Sequence, residues 1–326
     1  MTSTFQRSVL VTGGTVGLGY YCALEIARKH PEYQVILASR SDRDASAESI
    51  NKLLKQNSVS FRRLDLGSLA NVRAFANEWA NSSLPPIQSM VFNAALQFPG
   101  EVEYTEDGYE KTFAVCHMGH ALLFSLLRPH FAEKIRIVNV ASGVHDPAVR
   151  SGLPPPLYNT AEELAHPPAA SAKRAGRARY SDAKLANVLY TYALDKRFAT
   201  INKSGSKHWT TTAFDPGLMP GTGLARDAGA VARFLWLNVL PRILPILRLV
   251  IPNTHTPQDS GASSARLAIG KDLEGVSRVY FEGRKKIKSS EESYHEKKQE
   301  DLWDWTVKTL AGDAQERDRF ALRDLV

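Results

Sequence analysis

A tyrosine and a lysine four residues apart could act together as a proton-transfer pair. They are Tyr180 and Lys184 in the pentapeptide YSDAK, and residues at this spacing share one face of a helix. An ammonium beside a phenol stabilises the phenolate, so we expect Lys184 to lower the pKa of Tyr180 toward neutrality. Tyr180 could then give or take a proton at a carbonyl oxygen. A plain surface pair is the alternative, because this spacing alone also occurs by chance.

A serine at the end of a predicted strand could hold the same carbonyl oxygen. Ser142 follows the apolar run 137–141, at the edge of a parallel sheet where ligands bind. Its hydroxyl could orient the carbonyl and stabilise developing charge. His145 lies three residues later and could line the pocket or carry protons, but a solvated loop histidine is the preferred interpretation.

A glycine-rich loop, TGGTVGLG at residues 12–19, lies between the first predicted strand and the first predicted helix. Gly13 would allow a tight turn, Gly17 would let the backbone approach a pyrophosphate, and Gly19 would let the helix pack closely on the strand. The helix N-terminus offers N–H groups and a positive dipole end to phosphates. Glycine also serves plain turns, so the position of the loop is what favours nucleotide binding.

The end of the second predicted strand indicates which nucleotide binds. A carboxylate there would bind a ribose 2′-hydroxyl, whereas this chain has Ser39 and Arg40. The guanidinium suits a 2′-phosphate, which favours NADPH over NADH. A surface arginine at a strand end is the alternative, and Asp42 makes the local charge mixed.

The elements that must position these residues alternate along the chain. The predicted strands are residues 8–12, 34–39, 59–64, 87–92, 134–140, 209–214 and 278–281. The main predicted helices are residues 17–30, a stretch ending near 56, 68–81, 108–131 and 180–200. This alternation predicts an α/β fold, a doubly wound parallel sheet of about seven strands, with residues 1–326 as a single domain.

Three segments interrupt the alternation. Residues 146–179 are rich in Pro, Ala and Arg and are interpreted as an insertion, and residues 284–326 as a charged C-terminal extension. Residues 218–257 are strongly apolar and are interpreted as a substrate lid, with a membrane-surface patch over 231–251 and plain core packing as alternatives. A membrane span is excluded there because three arginines and two prolines interrupt the run.

Composition limits the class of protein. The chain has 326 residues, a net charge of +7 and two cysteines, without zinc-ligand spacing. We therefore expect no metal and no disulfide framework, and the polar N-terminus favours a cytoplasmic location, with an internal membrane surface as an option. The basic charge is spread out, which favours a solvated surface over nucleic acid, and a specific anionic partner is the alternative.

Taken together, the motifs resemble the short-chain dehydrogenase/reductase family over roughly residues 7–283. The resemblance rests on Thr12-Gly13, Gly17, Gly19, Asp65-Leu66, Asn93-Ala94-Ala95, Ser142, Tyr180, Lys184 and Pro216-Gly217. Within the family, residues 105–120, the long insertion and residues 216–224 resemble the retinol dehydrogenase and protochlorophyllide reductase branch.

The resemblance implies a role for each motif. Tyr180 would be the general acid, Lys184 would bind the nicotinamide ribose, and Ser142 would orient the substrate carbonyl. The implied cofactor-binding residues are Thr12, Gly13, Thr15, Gly17, Leu18, Gly19, Arg40, Asp65, Leu66, Asn93, Ala94, Tyr180, Lys184, Pro216, Gly217 and Thr222. The expected pocket walls are Gln97, Phe98, His145, Leu218 and Met219, while His117 and His120 are interpreted as structural.

Two positions depart from the family pattern. Cys116 stands where the family usually has an Asn that helps hold a water in a proton relay, and a thiol is a poor substitute. The relay could run through backbone carbonyls, turnover could be slower, or the chemistry could differ. The usual Thr after Pro-Gly is Gly221 here, with Thr222 one residue later.

The implied function is NADPH-dependent reduction of a ketone or aldehyde on a bulky, largely apolar molecule such as a polyketide, terpenoid, steroid or retinoid, typical of secondary metabolism. A non-redox cyclisation or isomerisation on the same scaffold, which Cys116 keeps open, is the first alternative. A non-catalytic NADP-binding sensor that uses the charged extension for a partner is the second. Family members often pair through the helices carrying Cys116 and Tyr180, so a homo-oligomer is possible, but the insertion and extension could obstruct it.

Overall fold

One β-sheet with helices on both faces organises the chain. A computed structural model describes residues 5–96, 100–149, 151–203, 205–222 and 229–325, apart from the side chain of Ala232. The strands are β1 (Arg7–Thr12), β2 (Tyr33–Ser39), β3 (Val59–Arg63), β4 (Ile87–Phe92), β5 (Phe131–Val140), β6 (His208–Asp215), β7 (Val279–Glu282) and β8 (Lys285–Ile287). Their order across the described sheet is β3-β2-β1-β4-β5-β6-β7-β8, and only β8 runs antiparallel. The doubly wound α/β prediction is confirmed.

The helices cover both faces of this sheet. They are α1 (Gly17–Lys29), α2 (Ser46–Leu54), α3 (Leu69–Ala80), α4 (Lys111–Phe113), α5 (Gly119–Leu127), α6 (Ala161–Ala165), α7 (Ala169–Ala172), α8 (Gly176–Asn202), α9 (Ala230–Phe234), α10 (Leu244–Val250), α11 (Pro257–Ile269), α12 (Glu296–Leu310) and α13 (Ala314–Phe320). Residues Ala114–Met118 and Leu235–Val239 form π-helical turns. No helix in the described ranges combines the length and apolar character needed to cross a membrane.

The alternation of strand side chains divides the core into two layers. Leu10 of β1 packs in the cluster formed with α3, α5, α8 and α12, while Val9 and Val11 pack in the cluster formed with α1, α2 and α11. On that second face α1 and α11 approach closely, because a Cβ at Gly261 would lie 2.5 Å from the Cβ of Tyr21. Both faces are thus covered, as a parallel sheet requires.

Several predicted boundaries need correction. The helix predicted over 108–131 begins only at Lys111, after the carboxylate of Glu110 accepts a hydrogen bond from the Phe113 N–H, and a π-helical turn interrupts it. Phe131 already belongs to β5, and the last predicted strand begins at Val279 rather than Arg278. The antiparallel β8 was not predicted, because its three residues are exposed and carry no apolar alternation.

The charged C-terminal extension packs against the rest of the domain. Leu302 and Trp303 of α12 are buried in the same core as α3 and α8, and Trp303 stacks on Tyr190 with ring centroids 5.9 Å apart. Arg73 of α3 forms an ion pair with Glu316 of α13 at 2.9 Å. The chain therefore covers this side of α8 itself. The oligomeric state stays a prediction.

The insertion 146–179 and residues 229–251 differ in how much of each is buried. The insertion 146–179 packs against α12, since the Tyr158 hydroxyl donates to Asp301 Oδ2 at 2.7 Å and Tyr158 is buried. Residues 229–251 lie largely in solvent, where Leu244 is the single buried side chain among those described. Plain core packing is therefore wrong for that segment.

Candidate functional site

A large cleft lies at the carboxyl ends of the parallel strands. Its volume is about 1110 Å³, enough for a dinucleotide cofactor and a second molecule beside it. The predicted site residues among its walls are Gly13, Thr15, Gly17, Leu18, Arg40, Asp65, Leu66, Asn93, Ala94, Ser142, Tyr180, Lys184, Pro216, Gly217, Leu218, Met219 and Thr222. The fold thus brings residues from seven segments to one cavity. Gln97 and Phe98 lie outside the described residues.

The glycine loop has the geometry that phosphate binding requires. Gly13 and Gly17 have φ values of +63° and +55°, which favour glycine. A Cβ on Gly17 would meet nothing within 4 Å, whereas a Cβ on Gly19 would lie 2.3 Å from the Gly13 carbonyl oxygen. The N-cap residue Val16 makes no side-chain hydrogen bond to α1, so the side chains leave these amides to a ligand. A pyrophosphate therefore fits this loop.

Thr12 and Gly19 support the loop from behind rather than lining the cleft. The Thr12 hydroxyl accepts hydrogen bonds from the N–H groups of Asn93 and Ala94 at 2.9 and 3.1 Å, and lies 2.8 Å from His120 Nε2. Asn93 Nδ2 donates to the carbonyl oxygen of Thr12 at 2.8 Å. Burial lowers the pKa of His120 to about 3, so its ring is neutral and structural. This network ties β1 to β4.

Arg40 lies exposed at one end of the cleft, directly after β2. The nearby carboxylate of Asp42 is engaged elsewhere, because it accepts the N–H groups of Ser46 and Ala47 at 2.7 and 3.2 Å and so caps α2. The acidic charge is thus directed at a helix N-terminus. At the neighbouring strand end, Asp65 Oδ1 accepts the Gly67 N–H at 2.9 Å.

Tyr180, Lys184 and Ser142 all line the cleft. Tyr180 and Lys184 are buried on α8, with the Lys184 ammonium 5.4 Å from the centre of the Tyr180 ring. Lys184 Nζ donates to the Val140 carbonyl oxygen at 2.8 Å, which fixes the ammonium beside the end of β5. Ser142 lies just beyond that strand end and opens onto the same cavity.

The expected lowering of the Tyr180 pKa is wrong for this structure. Burial raises the pKa of Tyr180 well above its ordinary value, and nearby Cys116 and Asp215 raise it further. Burial also lowers the pKa of Lys184. Tyr180 therefore holds its proton at neutral pH, as a general acid requires.

His145 is neither solvated nor part of the cleft wall. Its side chain is 1% exposed, and its Nδ1 lies 2.7 Å from the Ser142 carbonyl oxygen. Its Nε2 accepts the N–H of Ser290 at 3.1 Å. Burial lowers the pKa of His145, so the neutral ring donates through Nδ1 and links Ser142 to the C-terminal region. Both earlier interpretations, solvated loop and pocket wall, are wrong, because the region around Ser290 packs over this loop.

Cys116 lies behind the cleft wall within the π-helical turn. Its Sγ lies 3.9 Å from the Leu96 carbonyl oxygen, and its own carbonyl oxygen lies 3.1 Å from His120 Nδ1. Burial raises the pKa of the thiol. A buried, protonated thiol is a poor nucleophile.

The loop after β6 is fixed by a carboxylate that sequence reasoning did not single out. Asp215 accepts the Gly217 N–H at 2.9 Å through Oδ1 and the Asn253 side-chain amide at 2.8 Å through Oδ2. The Leu218 N–H donates to the Asn253 carbonyl oxygen at 2.8 Å, so the loop is joined to the segment before α11. The position of Asp215, directly before Pro-Gly at a strand end, is the signal that could have found it.

The charge of Asp215 is expected to cost stability near neutral pH. Burial raises the pKa of Asp215 to about 6, above the 3.8 of an ordinary Asp. The native state therefore binds a proton that the unfolded state releases, and stability falls as pH rises from 4 through 6. Asp215→Asn should reduce the gain in unfolding free energy between pH 7.5 and pH 5 by about 1 kcal/mol, measured by denaturant unfolding. Asp304→Asn, at an exposed position of α12, is the control, and an unchanged gain in Asp215→Asn would contradict the raised pKa.

Known proteins resemble this chain over most of its length. The family model described as short chain dehydrogenase matches residues 7–152, and the one described as AcuH dehydrogenase domain matches residues 225–318. Human retinol dehydrogenase 13 is 30% identical, over 91% of this chain and 82% of that protein. Human polyprenol dehydrogenase is 29% identical, over 91% of this chain and 83% of that protein.

Solved structures share the fold. An uncharacterized protein from Mycobacterium paratuberculosis has a TM-score of 0.62 and 23% identity, over 95% of each chain. A blue fluorescent protein from a metagenomic library, in complex with NADPH, has a TM-score of 0.59 and 19% identity, over 86% of this chain and 98% of that one. At these identities the likeness establishes the arrangement of the sheet and helices.

Proposed function

Because this chain belongs to the short-chain dehydrogenase/reductase family, in its retinol dehydrogenase-like branch, we propose that it is an NADPH-dependent reductase of a ketone or aldehyde on a bulky apolar molecule. It is an oxidoreductase acting on CH–OH and C=O groups with a nicotinamide cofactor. The observation that carries the proposal is that Tyr180, Lys184 and Ser142 line one cleft, with the Lys184 ammonium 5.4 Å from the Tyr180 ring. Burial raises the pKa of Tyr180, which favours its role as a proton donor over that of a base.

The proposed chemistry assigns one task to each of three side chains. The bound nicotinamide supplies the hydride. Ser142 donates a hydrogen bond to the substrate carbonyl oxygen, and Tyr180 gives that oxygen its proton as charge develops. Lys184, held by the Val140 carbonyl, places its positive charge beside Tyr180 and favours the phenolate left after transfer.

The proposed preference for NADPH rests on Arg40. Its guanidinium lies at the cleft next to Ser39, and the carboxylate of Asp42, two residues on, is engaged in capping α2. A planar guanidinium binds a 2′-phosphate with two charge-assisted hydrogen bonds.

The apolar substrate class is supported by the far end of the cleft. Val149 and Leu153 of the insertion and Leu218, Met219 and Ile251 of the segment 218–257 contribute apolar walls. Two of the relatives are named for polyprenol and retinol, both long isoprenoid alcohols. We therefore propose an isoprenoid or similarly extended carbonyl compound as substrate, within one domain of residues 1–326 in which α12 shares the core of α3 and α8.

The two alternative functions have less support. Non-redox chemistry rested on Cys116, but this thiol is buried, protonated and outside the cleft wall. A sensor would use the charged extension to bind a partner, but α12 of that extension is packed in the core. A sensor also has no use for a proton donor in the cleft.

Deuterium transfer from the cofactor tests the proposal. Purified protein is incubated with NADPH deuterated at the transferred position of C4 and with an extract of the source organism or a panel of isoprenoid ketones and aldehydes. We expect mass spectrometry to find an alcohol that gains one deuterium. No labelled product from either source, with NADPH binding shown by calorimetry, would contradict the proposed reduction.

A further inference from the structure

An exposed apolar surface adjoins the mouth of the cleft. Nine of the sixteen large apolar side chains that are exposed in the described residues lie between 231 and 251. We call residues 230–251, which comprise α9, the following π-helical turn and α10, the apolar helix pair. Leu249 and Val250 are 83% and 78% exposed. A contiguous exposed apolar surface of this kind marks an interaction site.

The charge of the apolar helix pair is of one sign. It contains Arg233, Arg242 and Arg248 and no aspartate or glutamate. Arg242 donates to the Asn238 carbonyl oxygen, and Arg248 pairs with Asp259 of α11 at 3.1 Å. Short helices with exposed leucines, isoleucines and a phenylalanine, flanked by arginines, have the character of a segment that lies in the interface of an anionic bilayer.

A second copy of the chain is a poorer match for this surface. Self-association through the apolar helix pair would bring its arginines together, with no acidic side chain from the same segment to compensate them. An anionic lipid surface would bury the apolar side chains in its interface and attract the arginines through its negative charge. We propose that the apolar helix pair docks the protein on the surface of an anionic phospholipid bilayer.

The apolar helix pair is joined directly to the cleft. The Trp236 indole N–H donates to the Thr222 carbonyl oxygen at 2.9 Å, and the Gly221 N–H donates to the Trp236 carbonyl oxygen at 2.9 Å. Ile251, at the end of α10, lines the cleft. Docking therefore places the mouth of the cleft at the bilayer, and a substrate dissolved in lipid reaches it there; this consequence rests on the proposed function.

Vesicle binding tests the docking without any substrate. The full chain is sedimented with vesicles of phosphatidylcholine alone and with vesicles that also contain phosphatidylserine. We expect binding to the anionic vesicles that weakens at high salt. The double variant Leu249→Glu/Val250→Glu should bind at least about tenfold more weakly, and Arg233→Gln/Arg242→Gln should lose the preference for phosphatidylserine.

Matched controls separate docking from other uses of the surface. Leu53→Glu changes another exposed leucine, 60% exposed on α2, and Lys52→Gln removes a charge from the same helix; both should bind as the parent chain does. Circular dichroism verifies folding. Equal vesicle binding by the parent and the Leu249→Glu/Val250→Glu variant would overturn the proposal. An absence of vesicle binding by the parent would also overturn the proposal. That holds if the parent proves to be a dimer that this variant dissociates, and equally if this variant alters only the KM for a soluble ketone. Vesicle binding without deuterium transfer would leave docking intact and contradict the reductase alone.

Discussion

Tyr180→Phe should lower the rate of carbonyl reduction by at least about a thousandfold while changing NADPH affinity only a few-fold. The substitution keeps the ring that lies 5.4 Å from the Lys184 ammonium and removes only the hydroxyl. Without that hydroxyl, the Tyr180 proton is no longer there to neutralise the oxygen that receives charge as hydride is transferred.

The measurement is single-turnover reduction at saturating NADPH, with cofactor affinity determined separately by fluorescence titration. Tyr190→Phe is the control, because Tyr190 is also buried on α8 but packs against Trp303 and does not line the cleft. That variant should retain the parent rate. Reduction by Tyr180→Phe at a rate close to that of the parent would exclude Tyr180 as the proton donor.

Arg40→Ala should weaken NADPH binding by about tenfold to a hundredfold and leave NADH binding almost unchanged. Charge-assisted hydrogen bonds from the guanidinium are possible only to the cofactor that has a 2′-phosphate. Asp42 does not offer a compensating contact to the 2′-hydroxyl, since both of its carboxylate oxygens accept N–H groups of α2.

Calorimetric titration of both cofactors at two ionic strengths measures this effect. Arg63→Ala is the control, because Arg63 pairs with Ser39 across β2 and β3 and is exposed, yet does not line the cleft. Arg63→Ala removes the same positive charge from the same edge of the sheet as Arg40→Ala does. Equal losses for NADPH and NADH in Arg40→Ala, or an equal loss of NADPH affinity in Arg63→Ala, would show that Arg40 does not read the 2′-phosphate.

The parts of the fold that the sequence predicted well depend on local signals. β1 to β6 follow apolar runs, and α3 begins after Ser68, whose hydroxyl accepts the Asn71 N–H at 3.3 Å. In each case the residues that determine the element are neighbours in the chain. The missed β8 has no such signal, because it depends on pairing with β7 rather than on its own three exposed residues.

The candidate site shows the same difference between residues selected by local signals and residues that only long-range contacts identify. The glycine loop and the Tyr180–Lys184 spacing lie within short peptides, so residue types and intervals were enough to select them. Asp215 was missed because its importance depends on Asn253, which is 38 residues away and meets it only in the folded chain.

The sequence by itself determined the class of fold and selected the glycine loop and Tyr180 as candidates, because each of these signals lies in adjacent residues or in one helical turn. Only the tertiary structure decided that Tyr180 keeps its proton, that His145 is buried against Ser290, and that α12 belongs to the core. Burial is produced by segments that lie far apart in the chain, such as Tyr158 and Asp301. That burial determines both the pKa of a group and whether a charged segment packs in the core, and no local pattern of residues encodes it.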